Sequence, residues 1–390
     1  MIEARKNRID NVDLLKGLVM VIMALDHTRD YFHQAAFLYD PADPVKSDLL
    51  LFFTRWITHF CAPAFCFLAG MSAFFMSRNR SRGELSGFLL KRGIWLVLME
   101  LTVINFSWYF DFQFRTINLI VIWSLGWSMI ALSGLIHFKR MAILVFSLIL
   151  IGAHNLLDTV HFEHQLWWSL MHEFSIINMT DHLQIFLGYP LIPWVAVMSL
   201  GYCFGPIYET SFEPAKRKRL LNILGISSLL LFFVLRYFNS YGDPQPWTQY
   251  ENLAQNLIGF FNPAKYPPSL MYLLMTLGAV FVFLANSENL KGKIVNFFSM
   301  FGRVPFFYYV LHLYLIHLLA MLFAQLTGFG WDAMLLSGWI SFQENLKGYG
   351  FNLGVVYLIW IAVIALLYPV CKRFDSYRKA HKEKNWLSYL

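Results

Sequence analysis

Long apolar stretches separated by short polar segments recur along the whole chain. A helix needs about 20 residues to cross the hydrocarbon layer of a bilayer. Ten stretches approach or exceed that length, at residues 12–32, 49–76, 88–107, 117–137, 141–157, 185–206, 219–238, 269–286, 304–325 and 351–371. The pattern predicts an all-α integral membrane protein, a single domain over residues 1–390 built as a bundle of about ten transmembrane helices. The region 290–325 has room for one further short helix.

The composition supports this prediction. Of 390 residues, 57% are hydrophobic, 18% are aromatic and only 14% are charged, whereas soluble domains carry roughly 25% charged residues. The chain has too few charges to cover a soluble globule, which excludes a cytosolic enzyme, a disordered chain and a nucleic-acid-binding protein. The net charge of +7 is expected from the excess of Lys and Arg on the cytoplasmic side of membrane proteins.

The distribution of basic residues predicts the orientation. Most Lys and Arg residues fall in alternate connecting segments: the N-terminal segment with Lys16, then 78–92, 139–140, 216–219, 291–303 and the tail after 371. The others are Arg29, Lys46, Arg55, Arg115, Arg236, Lys265 and Lys347. The positive-inside rule therefore predicts that both termini are cytoplasmic. The long polar segments 158–184 and 239–268 then lie outside, as a ligand-binding region or as plain connectors.

Ionisable side chains inside the apolar stretches are the candidates for function, because they are costly at hydrocarbon depth unless they are paired or face water. Lys16 and His27 are eleven positions apart, almost three helical turns, so they share one face about 16 Å apart along the axis. Lys16 alone could be an interfacial anchor, and His27 alone could make a structural hydrogen bond.

Three further stretches carry polar side chains at a depth similar to that of His27. Arg55 and His59 are one turn apart in the second stretch, Glu100 is near the middle of the third, and His312 is in the ninth. Together they predict a shared polar cavity. The alternative is that Glu100 pairs with Arg55 or with a histidine as a structural lock.

These residue types suit acid–base chemistry. Imidazole is an effective base near neutral pH, so His27 is the main catalytic candidate, with Asp26 and Glu100 beside it. Adjacent helical residues point about 100° apart, so Asp26 cannot be assumed to orient His27. No HExxH motif or metal-ligand spacing occurs, and Cys61, Cys66, Cys203 and Cys371 show no CxxC pattern. We expect neither a metal nor disulfides.

Four segments carry a resemblance to a known family. They are RIDNVDLLKG at 8–17, DHTRDYF at 26–32, FCAPAFCFLAG at 60–70 and GRVP at 302–305. They resemble the heparan-alpha-glucosaminide N-acetyltransferase catalytic-domain family, and the spacing of a basic residue and a histidine in the first stretch is similar to that of the broader acyltransferase-3 class.

The resemblance implies an enzyme that takes an acyl group from cytoplasmic acyl-CoA and passes it to a sugar or amino sugar on the opposite side. Lys16 stands at the basic position near the donor, and His27 stands at the essential histidine. Arg92 would help to bind the CoA phosphates, although the fuller Arg-x-x-Arg pattern is absent. The mammalian-type branch has a catalytic histidine in the first outer loop, where this chain has only His33 in a different context. His59 stands where that branch tends to have an Asp.

The resulting expectation is an O- or N-acetyltransferase of an extracytoplasmic glycan in a bacterial cytoplasmic membrane, with acetyl-CoA as donor. His27 would act as general base or as a transient acyl carrier, with Asp26 and Glu100 as further catalytic groups. Acceptor-binding or orienting roles fall to His59, Arg55 and His312, and binding of the donor falls to Lys16 and Arg92.

Two other functions use the same residues. A proton-coupled transporter or flippase would employ the intramembrane His and Glu residues as a proton relay, but the chain shows no repeated halves of the kind that many transporters have. A structural or sensor protein would use the polar groups only to lock its helices together.

Overall fold

The computed structural model describes residues 10–162 and 165–388. The N-terminal segment with Arg8 and residues 163–164 of the first long polar segment lie outside the described residues. Helices dominate the fold. They are α1 (Asp10–Phe32), α2 (Leu49–Trp56), α3 (Cys61–Ser77), α4 (Arg82–Met99), α5 (Asn105–Tyr109), α6 (Val121–Leu135), α7 (Arg140–Ala153), α8 (Gln165–Met171), α9 (Leu191–Phe204), α10 (Pro214–Phe238), α11 (Leu253–Phe261), α12 (Leu270–Asn286), α13 (Lys293–Arg303), α14 (Pro305–Leu326) and α15 (Leu353–Ala380).

Each of the ten predicted stretches contains a helix. Six helical segments within the described residues are long and apolar enough to cross a membrane: Leu49–Ser77, Arg140–Leu157, Leu191–Tyr208, Pro214–Phe238, Pro305–Leu326 and Leu353–Ala380. The apolar helices α6 and α12 are shorter, and the charged residues of α1 and α4 are spread so that neither helix contains a long stretch with few charges. The prediction of a mostly helical membrane protein is confirmed. The number of ten spans and the orientation stay predictions. The short extra helix allowed for in 290–325 is present as α13.

A small β-sheet was not predicted. Its strands are β1 (Thr116–Leu119), β2 (Ser175–Thr180) and β3 (Leu183–Leu187), in the order β1-β3-β2, with β1 parallel and β2 antiparallel to β3. The first residues of the predicted stretches 117–137 and 185–206 therefore belong to strands, and the helices begin only at Val121 and Leu191. Hydropathy alone does not separate a short apolar strand from the start of a buried helix.

Close helix pairs meet at glycines. Gly17 of α1 faces Gly302 of α13. A Cβ atom added to Gly17 would lie 1.7 Å from the Phe298 carbonyl oxygen, and one added to Gly302 would lie 1.9 Å from the Asp13 carbonyl oxygen. The same arrangement joins α3 to α9 at Gly70 and Gly201, α4 to α6 at Gly93 and Gly126, and α10 to α12 at Gly225 and Gly278. Lipid tails give helices no hydrophobic reason to associate, so close backbone packing at small residues holds these pairs together.

The fold places α1 at the centre of the site. It packs against α3, α13, α14 and α15, so its side chains face other helices on several sides. On another side, α4 runs into a π-helical segment (Glu100–Ile104) and the short α5. Such π segments are frequent at functional sites. This one carries Trp108 on α5 against the ring of His27, with the ring centroids 4.9 Å apart.

Candidate active site

Two cavities follow α1 in the described part of the chain. One, of about 430 Å³, is lined by His27 and by charged side chains that include Asp26 and Arg55; we call it the charged cavity. The other, of about 160 Å³, is lined mostly by apolar side chains, among them Met20, Met23, Met76 and Met129; we call it the methionine cavity. Lys16 and Arg92 also line the methionine cavity.

The two cavities are neighbours. Met23, Phe65, Val121 and Tyr309 line both of them, so these four side chains form the wall or passage between the cavities. His27 lies one helical turn beyond Met23 on the same helix, and it lines the charged cavity. A group that moved from the methionine cavity to the charged cavity would therefore arrive beside His27.

His27 is held by His312. The Nδ1 atom of His27 lies 2.7 Å from Nε2 of His312, and the rings are stacked with an interplanar angle of 9°. The Nδ1 atom of His312 lies 3.0 Å from the Tyr308 carbonyl oxygen. Since a carbonyl only accepts hydrogen bonds, Nδ1 of a neutral His312 carries the proton and its Nε2 accepts the bond from His27. A neutral His27 is thereby left with Nε2 as its basic nitrogen.

Asp26 belongs to a network of charges on the wall of the charged cavity. Its carboxylate lies 2.7 Å from Nη1 of Arg55 and 2.9 Å from Nη2 of Arg29, and Arg29 also pairs with Asp30. Arg55 donates a further hydrogen bond to Thr58. Asp26 is therefore paired with Arg55 and Arg29 and not with His27, as the divergence of adjacent helical side chains allows.

Glu100 is buried and lines neither cavity. Its Oε2 atom accepts a hydrogen bond of 3.0 Å from the backbone N–H of Trp123, in the first turn of α6. An anionic or hydrogen-bonding group is favoured at a helix N-terminus because the backbone N–H groups there have no helical partner. The proposed lock between Glu100 and Arg55 does not form within the described residues, and a catalytic role for Glu100 stays a prediction.

His59 and His33 also lie apart from the lining of the two cavities. His59 is buried in the turn after α2, with its ring edge on Tyr272. Nδ1 of His33 accepts the backbone N–H of Ala35 at 3.2 Å. Burial, together with the Arg29 cation, lowers the pKa of His33 to about 4, so this imidazole is neutral at pH 7. The shared polar cavity of the sequence analysis thus gathers His27, with His312 directly behind it, but not His59 or Glu100.

The methionine cavity combines an apolar interior with two cations. Nζ of Lys16 donates a hydrogen bond of 2.8 Å to the hydroxyl of Ser72 on α3. Arg92 lies on α4, across the cavity from α1. A thin flexible chain would suit the apolar lining, and an anionic group would suit the two cations Lys16 and Arg92.

Several residues of the site were missed in the sequence. Trp108 and Tyr309 surround the His27 ring, with ring centroids at 4.9 Å and 6.3 Å. Arg29 and Lys265 add cations to the charged cavity. No signal singled out the two aromatic residues, because the chain has 38 Phe, 19 Tyr and 13 Trp residues. Arg29 and Asp30 could have been found, since they follow Asp26 and His27 directly.

The possible metal ligands and the thiols of the described residues are dispersed. Among the described residues, no group of three or more His, Cys, Asp or Glu side chains is placed to hold a metal ion. The four cysteines are free thiols. Cys61 lines the charged cavity, and its sulfur lies 3.2 Å from the Val19 carbonyl oxygen as a weak donor.

No curated protein matches the chain significantly. A family model described as "Heparan-alpha-glucosaminide N-acetyltransferase, catalytic" matches residues 8–236, which is more than half of the chain. That range includes Lys16, His27, Arg55 and Arg92. The resemblance found in the motifs is confirmed, and the chain belongs to the heparan-alpha-glucosaminide N-acetyltransferase catalytic-domain family.

Proposed function

We propose that this membrane protein transfers an acetyl group from cytoplasmic acetyl-CoA to a hydroxyl or amino group of a sugar on the other side of the membrane. Membership of an N-acetyltransferase family supports acetyl transfer in general. The position of His27 supports transfer between two binding sites. His27 lines the charged cavity, one helical turn beyond Met23, which lines both the charged cavity and the methionine cavity.

The methionine cavity is the proposed binding site of the donor. The arm of CoA that ends in the thioester is long, thin and flexible, and it would lie among the methionine side chains. Lys16 and Arg92 would contact CoA phosphates, since a guanidinium group matches the geometry of phosphate oxygens and an ammonium group acts as a point charge. The volume of about 160 Å³ suits the arm and not the nucleotide, which would stay outside.

The charged cavity is the proposed binding site of the acceptor. Its lining includes aromatic side chains, among them Trp108, Trp339 and Tyr189, beside the charged network of Asp26, Arg29 and Arg55. Aromatic faces offer a flat apolar surface to a sugar ring, while carboxylate and guanidinium groups hydrogen-bond to its hydroxyls. We assign Arg55 and Asp26 to acceptor binding on this basis.

His27 is the proposed general base. Nε2 would take the proton of the acceptor group as it attacks the thioester carbonyl, and the bond to His312 would hold the ring in the required tautomer. The apolar interior of the methionine cavity would keep water from the thioester. A transient acyl-imidazole on His27 is the other route, and it predicts a radiolabelled acetyl-protein when acetyl-CoA is supplied without acceptor.

The test is transfer from radiolabelled acetyl-CoA to total envelope glycan by the purified protein. The wild-type protein should label the glycan, and His27→Ala should abolish labelling while its elution from a sizing column and its Tm in detergent stay near those of wild type. His137→Ala, which changes an exposed histidine, is the matched control and should keep full activity. Equal activity of His27→Ala and wild type would remove His27 from the mechanism.

The alternative is a proton-coupled transporter or flippase. The observation in its favour is the buried His27–His312 contact, because paired imidazoles in a membrane are suited to carrying protons. This function predicts flux of a substrate across proteoliposomes with no consumption of acetyl-CoA. Consumption of acetyl-CoA coupled to acetylation of the glycan would exclude it.

A further inference from the structure

Two hydrogen-bond donors beside His27 have no acceptor among the described residues. They are the hydroxyl of Tyr309 and the indole N–H of Trp108, and both atoms are buried. Buried polar groups are nearly always hydrogen-bonded, so each exception calls for an explanation. A donor without an acceptor at the wall of a cavity is suited to binding an atom of a ligand.

Lack of a partner alone does not single out these two residues. Tyr349 and Trp194 also have buried donor atoms without a partner among the described residues, but they line neither cavity. Tyr309, in contrast, lines both cavities, and Trp108 lines the charged one. What distinguishes Tyr309 and Trp108 is that both line the cavity of His27, and Tyr309 also lines the methionine cavity.

Both side chains also surround the proposed base. The indole of Trp108 meets the His27 ring edge-on at an interplanar angle of 73°, and the phenol of Tyr309 does so at 76°. The indole N–H of Trp108 also lies close to the phenol oxygen of Tyr309, although the two do not form a hydrogen bond of normal geometry. A carbonyl carbon attacked beside His27 would therefore have its oxygen within a wall that contains a phenol O–H and an indole N–H.

We propose that Tyr309 and Trp108 form the oxyanion hole of the acetyl transfer, an assignment that rests on the proposed function. Fixed donors aimed at a developing negative charge are effective in a dry site because they need no reorganisation during the reaction. Tyr309 is the principal donor, since it lies at the junction itself, and Trp108 is the second.

The reaction balances with these groups. The acceptor oxygen or nitrogen attacks the thioester carbonyl carbon, and Nε2 of His27 takes the acceptor's proton. The carbonyl electron pair moves to the oxygen, which becomes an oxyanion that accepts hydrogen bonds from Tyr309 and Trp108. The carbonyl then re-forms, the carbon–sulfur bond breaks, and the thiolate of CoA takes the proton from the His27 imidazolium. The products are the acetylated acceptor and free CoA.

The test is the kinetics of Tyr309→Phe in the full-length protein in detergent, with acetyl-CoA and the glycan that the wild-type protein labels. Removal of one oxyanion donor lowers kcat by roughly 10²–10³-fold in other enzymes, and we expect a fall of that size here. KM for acetyl-CoA should change less than about threefold, because the bond forms with the oxyanion and not with the ground-state carbonyl. Trp108→Phe, which removes the indole N–H, should give a smaller fall in kcat.

The matched control is Tyr349→Phe, which removes a buried tyrosine hydroxyl that also lacks a partner among the described residues and lies outside both cavities. It should keep the wild-type kcat. The Tm of Tyr309→Phe should equal or exceed that of wild type, because the change deletes a buried donor that stabilises nothing in the resting protein. A purely structural role for Tyr309 predicts instead a lowered Tm.

The outcomes separate this assignment from the proposed function. Wild-type kcat in Tyr309→Phe, in a protein whose wild type transfers acetyl groups, would overturn the oxyanion hole alone. A loss of kcat matched by a loss of Tm would also overturn it. No transfer by the wild-type protein from acetyl-CoA to any glycan would overturn the proposed function, and this assignment with it.

Discussion

Nδ1 of His27 and Nε2 of His312 lie 2.7 Å apart and join α1 to α14 across 285 positions of the chain. His312 occupies the place behind the proposed base that a carboxylate occupies in a Ser-His-Asp triad. Unlike a carboxylate, a neutral imidazole brings no full charge into the membrane interior, where an unpaired charge is costly. His312 is therefore a positioning residue, which sets the tautomer of His27 through the Tyr308 carbonyl.

His312→Phe should lower kcat without abolishing it. The variant keeps a ring against His27 but removes the acceptor for its Nδ1–H, so His27 loses its fixed tautomer. Loss of the group that hydrogen-bonds to a metal-binding histidine costs about 10–100-fold in activity, and we expect a fall of that size here. KM for acetyl-CoA should stay within about threefold of wild type, because His312 lines neither cavity. Steady-state kinetics with radiolabelled acetyl-CoA measure both constants.

The matched control for His312→Phe is His317→Phe, one and a half turns along the same helix. His317 is buried and joins the carbonyl oxygens of Ser107 and Met334 at 2.9 Å and 2.8 Å. Its loss should lower Tm and leave kcat of the remaining folded protein unchanged. An unaltered kcat in His312→Phe, or an equal fall in both variants, would contradict the positioning role.

Lys16→Ala and Arg92→Ala should weaken donor binding and not the chemical step. Each removes a cation from the lining of the methionine cavity, so KM for acetyl-CoA should rise, by about 10-fold for a loss of roughly 1.4 kcal/mol, with kcat nearly constant. The rise should shrink at high salt if the contact is to a phosphate. Lys218→Ala, which removes an exposed lysine at the start of α10, should leave KM unchanged. A fall in kcat at constant KM would contradict the assignment.

Much of the helical framework could be predicted from the sequence. An apolar stretch of about 20 residues in lipid must satisfy its backbone hydrogen bonds internally, and an α-helix does so. The eleven-residue spacing also predicted that Lys16 and His27 lie on one face of α1. In the structure Lys16 lines the methionine cavity and His27 lines the charged cavity. This prediction depends only on the helical repeat, which a transmembrane helix keeps. The contact of His27 with His312 involves two helices far apart in the chain, and nothing in one sequence fixes which polar groups meet.

Other parts of the site depend on the details of packing. Depth along a span suggested that Glu100 and His59 share the cavity of His27, but depth does not say which way a side chain points around its helix. The π-helical segment that begins at Glu100 changes the phase of the side chains after it, so Trp108 faces His27 at an angle that a regular 3.6-residue repeat does not predict. The β-sheet was missed because its strands are only four to six residues long.

Glu100→Gln distinguishes catalysis from helix capping. The amide oxygen of Gln still accepts the N–H of Trp123 but lacks the charge and basicity of a carboxylate. If Glu100 holds the start of α6, Glu100→Gln should keep kcat within about threefold, and Glu100→Ala should lower the free energy of unfolding by about 1 kcal/mol, as the loss of a helix cap does. A 100-fold loss of kcat in Glu100→Gln with unchanged Tm would instead support the catalytic role. Parallel kinetics and thermal unfolding in detergent decide between them.

Asp26 and Arg55 should be coupled in acceptor binding. Asp26→Asn leaves two guanidinium groups without their shared carboxylate, and Arg55→Gln leaves the carboxylate with Arg29 alone, so each should raise KM for the acceptor. The two groups are in direct contact at 2.7 Å. The double variant should therefore lose less free energy of acceptor binding than the two single variants lose together, with a coupling energy of about 0.5–3 kcal/mol. Strict additivity would contradict a functional pair.

The control for this cycle is the ion pair of Arg115 with Asp111, whose closest atoms are 3.0 Å apart and which lies outside the charged cavity. Arg115→Gln should leave KM for the acceptor unchanged. KM for acetyl-CoA should also stay constant in all variants of both pairs, because neither pair lines the methionine cavity.

The glycine contact between α1 and α13 should be required for a stable fold. In Gly302→Ala the new Cβ would lie 1.9 Å from the Asp13 carbonyl oxygen, so the helices must separate and lose the close packing that joins them. Overpacking of this kind costs about 1–3 kcal/mol or more.

Gly87→Ala makes the same change in α4 where no atom lies within 4 Å of the added Cβ, and the higher helix propensity of Ala should raise stability by up to about 1 kcal/mol. Thermal unfolding of the two purified variants should therefore move Tm in opposite directions. Equal Tm values for Gly302→Ala and wild type would show that the close contact of α1 and α13 does not contribute to stability.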